Sequence, residues 1–188
     1  MITIRHERLA DLVAREQLLH AAYGPARFTK ASERLREGRA PAEGLAFVAT
    51  EDGRAVGTVR LWHVTAGHDR PALLLGPLAV AAECRHRGIG SALVARALRE
   101  AKRKKHRAVL LVGDREFYGR FGFSAERTGG LWLSGPNEAH RLLACELAPG
   151  ALDGASGLIA ASRPQARARL SALVGRAGRE AAAAAQPA

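Results

Sequence analysis

The chain is short of several things. Its 188 residues include two cysteines, Cys84 and Cys145. Two are too few to staple a small secreted scaffold, so both read as small buried hydrophobes with reduced thiols. No apolar run is long: the longest covers residues 71–82, between Arg70 and Glu83, too short to cross a bilayer as a helix. The opening Met1-Ile2-Thr3-Ile4-Arg5 turns charged before a leader core can form, so no signal peptide is expected. A cytoplasmic protein with no membrane partner is the default expectation. The seven histidines show no metal-ligand spacing, so no metal is expected. Internal repeats are also missing. Acids are scarce: 18 stand against 29 lysines and arginines, a formal charge of +11. That imbalance favours an anionic partner, whether phosphate groups, nucleic acid or an acidic membrane surface, and does not choose among them. The apolar fraction, 47%, is ordinary, which argues against intrinsic disorder.

What is present reads as one α/β domain over residues 1–148 with an extension over 149–188. Residues 2–5 suggest an edge strand. Leu9, Leu12, Val13, Leu18 and Leu19 recur near helical spacing, so an amphipathic helix is expected over 7–22, stopped by Gly24-Pro25. A second short helix is expected over 29–37. Strands over 45–50 and 55–64 flank Asp52-Gly53, a strong hairpin signal. A looser loop through 67–71 leads to an apolar strand over 73–80, interrupted by Gly76-Pro77, which marks a bulge or a stop in pairing. A helix over 88–105, with Ile89, Leu93, Val94, Ala97, Leu98 and Ala101 on one face, connects it to a strand over 108–112. That is the right-handed crossover of a parallel pair. Asp114 is placed to cap a short helix reaching Phe121. Two more strands fit residues 123–126 and 141–147. The extension is rich in Ala, Gly and Arg and has no aromatic residue. A basic helix is expected over 163–179 and a frayed alanine run over 181–188.

The most informative segment is Arg85-His86-Arg87-Gly88-Ile89-Gly90-Ser91, between strand and helix. Glycines let backbone approach a ligand closely, and the exposed N–H groups of a helix start favour an anion. Arg85 and Arg87 add charged donors. The bland alternative is a tight turn without a ligand. A nucleotide-hydrolysing loop would need Gly-Lys-Ser/Thr, and here Gly90 is followed by Ser91. A dinucleotide fingerprint would need a third glycine where Leu93 stands.

Three ordered motifs resemble those of the GNAT superfamily of acyl-CoA-dependent N-acyltransferases. Arg85-x-x-Gly88-x-Gly90 matches the family's Gln/Arg-x-x-Gly-x-Gly/Ala signature. Leu75-Gly76-Pro77-Leu78-Ala79-Val80 is similar to its bulged fourth strand. Phe117-Tyr118-Gly119-Arg120-Phe121-Gly122-Phe123 is similar to its later Phe-Tyr-x-x-x-Gly-Phe element. The resemblance ends near residue 147. It implies a mixed, mostly antiparallel sheet in which a parallel pair, the fourth and fifth strands, splays apart, with helices on the flanks. It implies acetyl-CoA as co-substrate, no metal, and an amine acceptor. Leu78, Ala79 and Val80 would meet the pantetheine arm, and the Leu78 backbone N–H would polarise the thioester. Arg85, His86, Arg87, Gly88, Ile89, Gly90 and Ser91 would hold the pyrophosphate. Tyr118 would lie near the sulfur and protonate the departing thiolate, unless it only packs beside Phe117 and Phe121.

Other readings stay open. The family norm is a direct ternary complex, which makes covalent catalysis through Cys84 an outside alternative. No carboxylate lies on the Leu73-Leu74-Leu75 stretch, where some relatives keep a base, leaving Glu33, His63, Glu116, ordered water, or an amine that is already neutral. A CoA-binding regulatory module with this fold and little turnover is the competing function. Residues 85–107 carry nine basic residues against Glu100, and the extension carries five arginines against Asp153 and Glu180. A tRNA-linked acceptor is therefore a further possibility, beside a merely solvated helix end. The protein is expected to be a monomer or homodimer.

Overall fold

A computed structural model describes residues 1–135 and 139–162. The basic helix expected over 163–179 and the alanine run after it lie outside the described residues. The chain forms β1 (Ile2–His6), a 3-10 turn at Leu9–Asp11, α1 (Leu12–Tyr23), a second 3-10 turn at Pro25–Thr29 and α2 (Ala31–Arg34). Then come β2 (Ala46–Glu51), β3 (Arg54–Ala66), β4 (Arg70–Leu75), β5 (Ala79–Val80), α3 (Ile89–Arg103), β6 (Ala108–Val112) and α4 (Arg115–Gly119). β7 (Leu131–Trp132), β8 (Leu142–Glu146), β9 (Gly157–Leu158) and β10 (Ala160–Ala161) complete it.

The main sheet runs β1-β2-β3-β4-β6-β8, with β5 and β10 also pairing to β3. Every pairing in it is antiparallel except β4 with β6. This is the mixed, mostly antiparallel α/β architecture the sequence suggested. The unbroken apolar runs follow from burial on both faces. Leu73, Val109 and Leu143 join the core beneath α3, while their neighbours Leu74, Leu110 and Leu142 join a second core with Trp62, Val64 and Ile159. The β2–β3 hairpin turns through Asp52 at φ 49° and Gly53 at φ 81°, the left-handed pair that matches strand twist. α3 buries Ile89, Leu93, Val94, Ala97 and Ala101. Gly57 lets it settle close: a Cβ there would come within 3.0 Å of Leu93 and 3.1 Å of Ile89.

Several expectations need correction. The expected fourth strand is two strands, β4 and β5, parted by Gly76, Pro77 and Leu78. The expected fifth strand is β6. The loop at 67–69 is a tight turn, with Ala66 directly opposite Arg70. The helix expected over 7–22 starts as a 3-10 turn, and within α1 only Leu19 is buried. Leu9 and Val13 stand exposed at 87% and 71%. α1 packs against β3 and β5, and buried ion pairs of Glu7 with Arg15 and Arg60 tie its start to the sheet, so apolar spacing alone overstated its buried face. The helix expected over 29–37 holds only α2, after a 3-10 turn. In the stretch expected as a strand over 123–126, one bridge forms, Ser124 to Ala144.

Residues 149–162 are integrated rather than appended. Ala151, Leu152 and Ile159 are buried. β9 pairs with β7 and β10 with β3, and Leu152 N–H donates to the Glu146 carboxylate at 2.7 Å. A composition rich in small residues disguised a packed segment. No described helix is long and apolar enough to cross a membrane.

Candidate active site at the strand splay

β4 and β6 pair only at Leu73–Val109 and Leu74–Leu110. Past Leu75 the chain turns through Gly76, at φ 132°, and is pinned to β3. Gly76 N–H donates to Arg60 O at 2.8 Å, and Trp62 Nε1–H donates to Gly76 O at 2.6 Å. β5 then continues beside β3, with Ala79 opposite Thr58 and Val80 opposite Gly57. No described strand pairs with its other edge. This splay leaves backbone donors and acceptors facing a cleft of about 560 Å³. Leu78, Ala79 and Val80 form one wall; Arg85, His86, Gly88, Ile89, Gly90 and Ser91 form the floor; Phe117, Arg120, Ala22, Tyr23 and Cys84 complete it.

The floor is the start of α3. Gly88 takes the N-cap position at φ 77° and no described side chain caps the helix. The first-turn amides therefore remain for an anion. Arg85 has no ion pair among the described residues. Arg87 differs. It does not line the cleft; its guanidinium grips Glu51 at 2.6 and 3.0 Å and reaches Cys84 Sγ at 3.5 Å. The β2 end thus claims an arginine that sequence grouped with the loop.

Tyr118 stands across Leu78 from the cleft. It lines two adjoining hollows of about 80 and 330 Å³, which share Tyr23 and Leu78 with the cleft. Asp114 Oδ1 accepts from Phe117 N–H at 2.8 Å and fixes the start of α4. The Tyr118 ring meets Phe117 edge-on at 4.8 Å and Phe123 at 5.8 Å. Burial pushes its phenol well above the usual range, partly opposed by the Arg141 charge. It therefore stays protonated at any working pH.

Tyr23 was missed. Nothing in the Ala-Ala-Tyr-Gly context marks it, yet its hydroxyl donates to Leu78 O and its ring borders all three spaces. Of the possible bases, Glu33 reaches the smaller hollow but pairs with Arg36 at 3.0 Å. His63 lies elsewhere, its ring 5.5 Å from His106 in a separate cavity that shares no lining residue with the cleft. Glu116 is exposed. Cys84 is buried with a free thiol. Among the described residues, no three His, Cys, Asp or Glu side chains gather as a metal site.

The chain is 32% identical over 117 residues, 61% of its own length, to 70% of an Escherichia coli K12 protein described as the uncharacterized N-acetyltransferase YhbS. It belongs to the GNAT acetyltransferase family. A family profile described as an acetyltransferase (GNAT) domain matches residues 42–125 of this GNAT chain. The crystal structure of E. coli YhbS in complex with CoA superposes with a TM-score of 0.73 at 29% identity, covering 86% of this chain and 89% of that one. A Brucella melitensis GNAT acetyltransferase in complex with acetyl-CoA has a TM-score of 0.64 at 25% identity, covering 85% and 95%.

Proposed function

We propose that this GNAT protein binds acetyl-CoA in the splay cleft and passes the acetyl group directly to an amine. The observation that carries this reading is the unpaired edge of β5 running into the uncapped start of α3. It offers strand-like pairing for a pantetheine arm and free amides for a pyrophosphate. Two similar GNAT proteins hold CoA or acetyl-CoA in crystals, which supports the same ligand here.

In this reading Leu78, Ala79 and Val80 pair with the arm. Arg85, His86 and the backbone of Gly88, Ile89, Gly90 and Ser91 hold the phosphates. Arg87, paired with Glu51 outside the cleft, is not among them. The Leu78 N–H stabilises the oxyanion as the amine nitrogen attacks the thioester carbon. The C–N bond forms, the C–S bond breaks, and the CoA thiolate leaves. Tyr118, across Leu78 in the adjoining hollows, delivers its proton to that sulfur and regains one from water. The amine enters neutral and sheds its second proton to water, because Glu33 is already held by Arg36. Cys84, drawn toward Arg87 and Glu51, takes no part.

The test follows CoA thiol release with acetyl-CoA and a primary-amine panel, alongside calorimetric CoA binding. Tyr118→Phe is expected to lower kcat by about 100-fold with CoA affinity unchanged. Absence of CoA binding overturns the reading. Tight CoA binding without turnover on any amine replaces it with the regulatory-module function.

A further inference from the structure

The two hollows beyond Leu78 form the space open to an acceptor, and one cation in them, Lys30, has no counter-ion among the described residues. Arg27, Lys30, Arg36 and Arg141 line them against Glu33 and Asp114. Both carboxylates are already engaged: Asp114 caps α4 and Glu33 pairs with Arg36. Arg27 is matched from outside by Glu16. Lys30 has no ion pair among the described residues. Its ammonium lies 5.6 Å over the Tyr23 ring, whose hydroxyl is bonded to the Leu78 carbonyl. An unmatched cation therefore stands beside the residue that would hold the thioester. The Arg141 charge reaches both tyrosine hydroxyls as well.

Resting on the acetyl-transfer reading, we infer that the acceptor is a small amine bearing its own anionic group, a carboxylate or a phosphate, which Lys30 holds while the amine faces Leu78 and Tyr118. Two physical effects act together. An anion neutralises a cation that is partly withdrawn from water, where charge pairs are worth more than at an open surface. The same positive charge disfavours an ammonium beside it, so the amine sits in the neutral form that attacks a thioester. A missing strand carboxylate is then no defect. Polycationic acceptors meet like charge and are rejected.

The experiment uses the full chain saturated with CoA for binding and with acetyl-CoA for thiol release. Matched probes are β-alanine against β-alaninamide and O-phosphoethanolamine against ethanolamine, with spermidine as the polycation. The anionic member of at least one pair is expected to bind at least tenfold tighter, and the pair that responds identifies carboxylate or phosphate. Lys30→Met should bring that ratio within threefold, acting on KM more than kcat, and Lys30→Arg should restore most of it. Urea unfolding of both variants checks that the fold persists. Equal binding of neutral and anionic members, or preference for spermidine, overturns the inference whatever the turnover. Selective binding without thiol release leaves Lys30 as the holder of an anionic amine and removes the acetyl-transfer reading instead.

Discussion

Gly113 offers the sharpest probe of Tyr118, because it moves the ring without touching the hydroxyl. Gly113 follows β6 and lines the larger hollow. A Cβ there would fall 2.4 Å from Tyr118 Cε2, 2.7 Å from Cδ2 and 3.0 Å from Leu111 Cδ1. Carbon atoms pack best about 3.5–4.0 Å apart, so the ring must retreat by about 1 Å or more. Phe117 and Phe123 close the other sides, and the backbone at Gly113 is not left-handed. Strain at the side chain is therefore the whole effect of Gly113→Ala. Overpacking costs about 1–3 kcal/mol of stability, and a shift near 1 Å at a reacting group costs about 100-fold in rate. Thiol-release kinetics, urea unfolding and CoA calorimetry together read the outcome. The expected result is a kcat loss close to that of Tyr118→Phe, unchanged CoA affinity, and no further loss in the double variant, since both remove one interaction. Additive losses, or wild-type kcat in a folded Gly113→Ala protein, would refute Tyr118 as the proton donor.

Three more outcomes follow from the geometry. Arg85→Ala should weaken CoA binding by about tenfold, the scale of one hydrogen bond to a charged group, whereas Arg87→Ala should change it less than threefold; calorimetry that ranks them the other way contradicts the Glu51 pairing. Leu152→Ala should cost about 2–5 kcal/mol in chemical denaturation, and a cost below 1 kcal/mol would show residues 149–162 to be dispensable to the fold. Burial holds the His63 and His106 imidazoles below their ordinary 6.5, helped by the Arg39 charge at His63 and by His63 and Lys104 at His106. The unfolded chain then takes up protons first as pH falls through that value, so stability is full above it and declines below it. The urea midpoint should drop from pH 8 to pH 5.5, and His63→Gln with His106→Gln should flatten that drop; an unchanged slope counts against it.

Much of this was legible in the residues, and the reason is locality. The Asp52-Gly53 turn, the Asp114 cap, the apolar face of α3 and the glycine loop each depend on chain neighbours, so spacing reveals them. Gly76-Pro77 announced the break in pairing at the same local level. Reading failed where a position's value comes from a distant partner. Leu9 and Val13 have helical spacing but no core to meet. Tyr23 matters because the break between β4 and β5, 55 residues later, presents a carbonyl to it.

By itself, then, the sequence determined a mixed α/β domain and a phosphate-ready loop at a strand–helix junction. The tertiary structure alone decided which loop arginine faces the cleft, because Glu51 on a neighbouring strand captures Arg87 and leaves Arg85. It drew residues 149–162 into the core, since the small side chains that look like linker fit closely against β3 and β7. It also gathered Lys30, Arg36, Tyr118 and Arg141 around Leu78. Charges far apart in the chain have no field in common until the sheet brings them to one wedge.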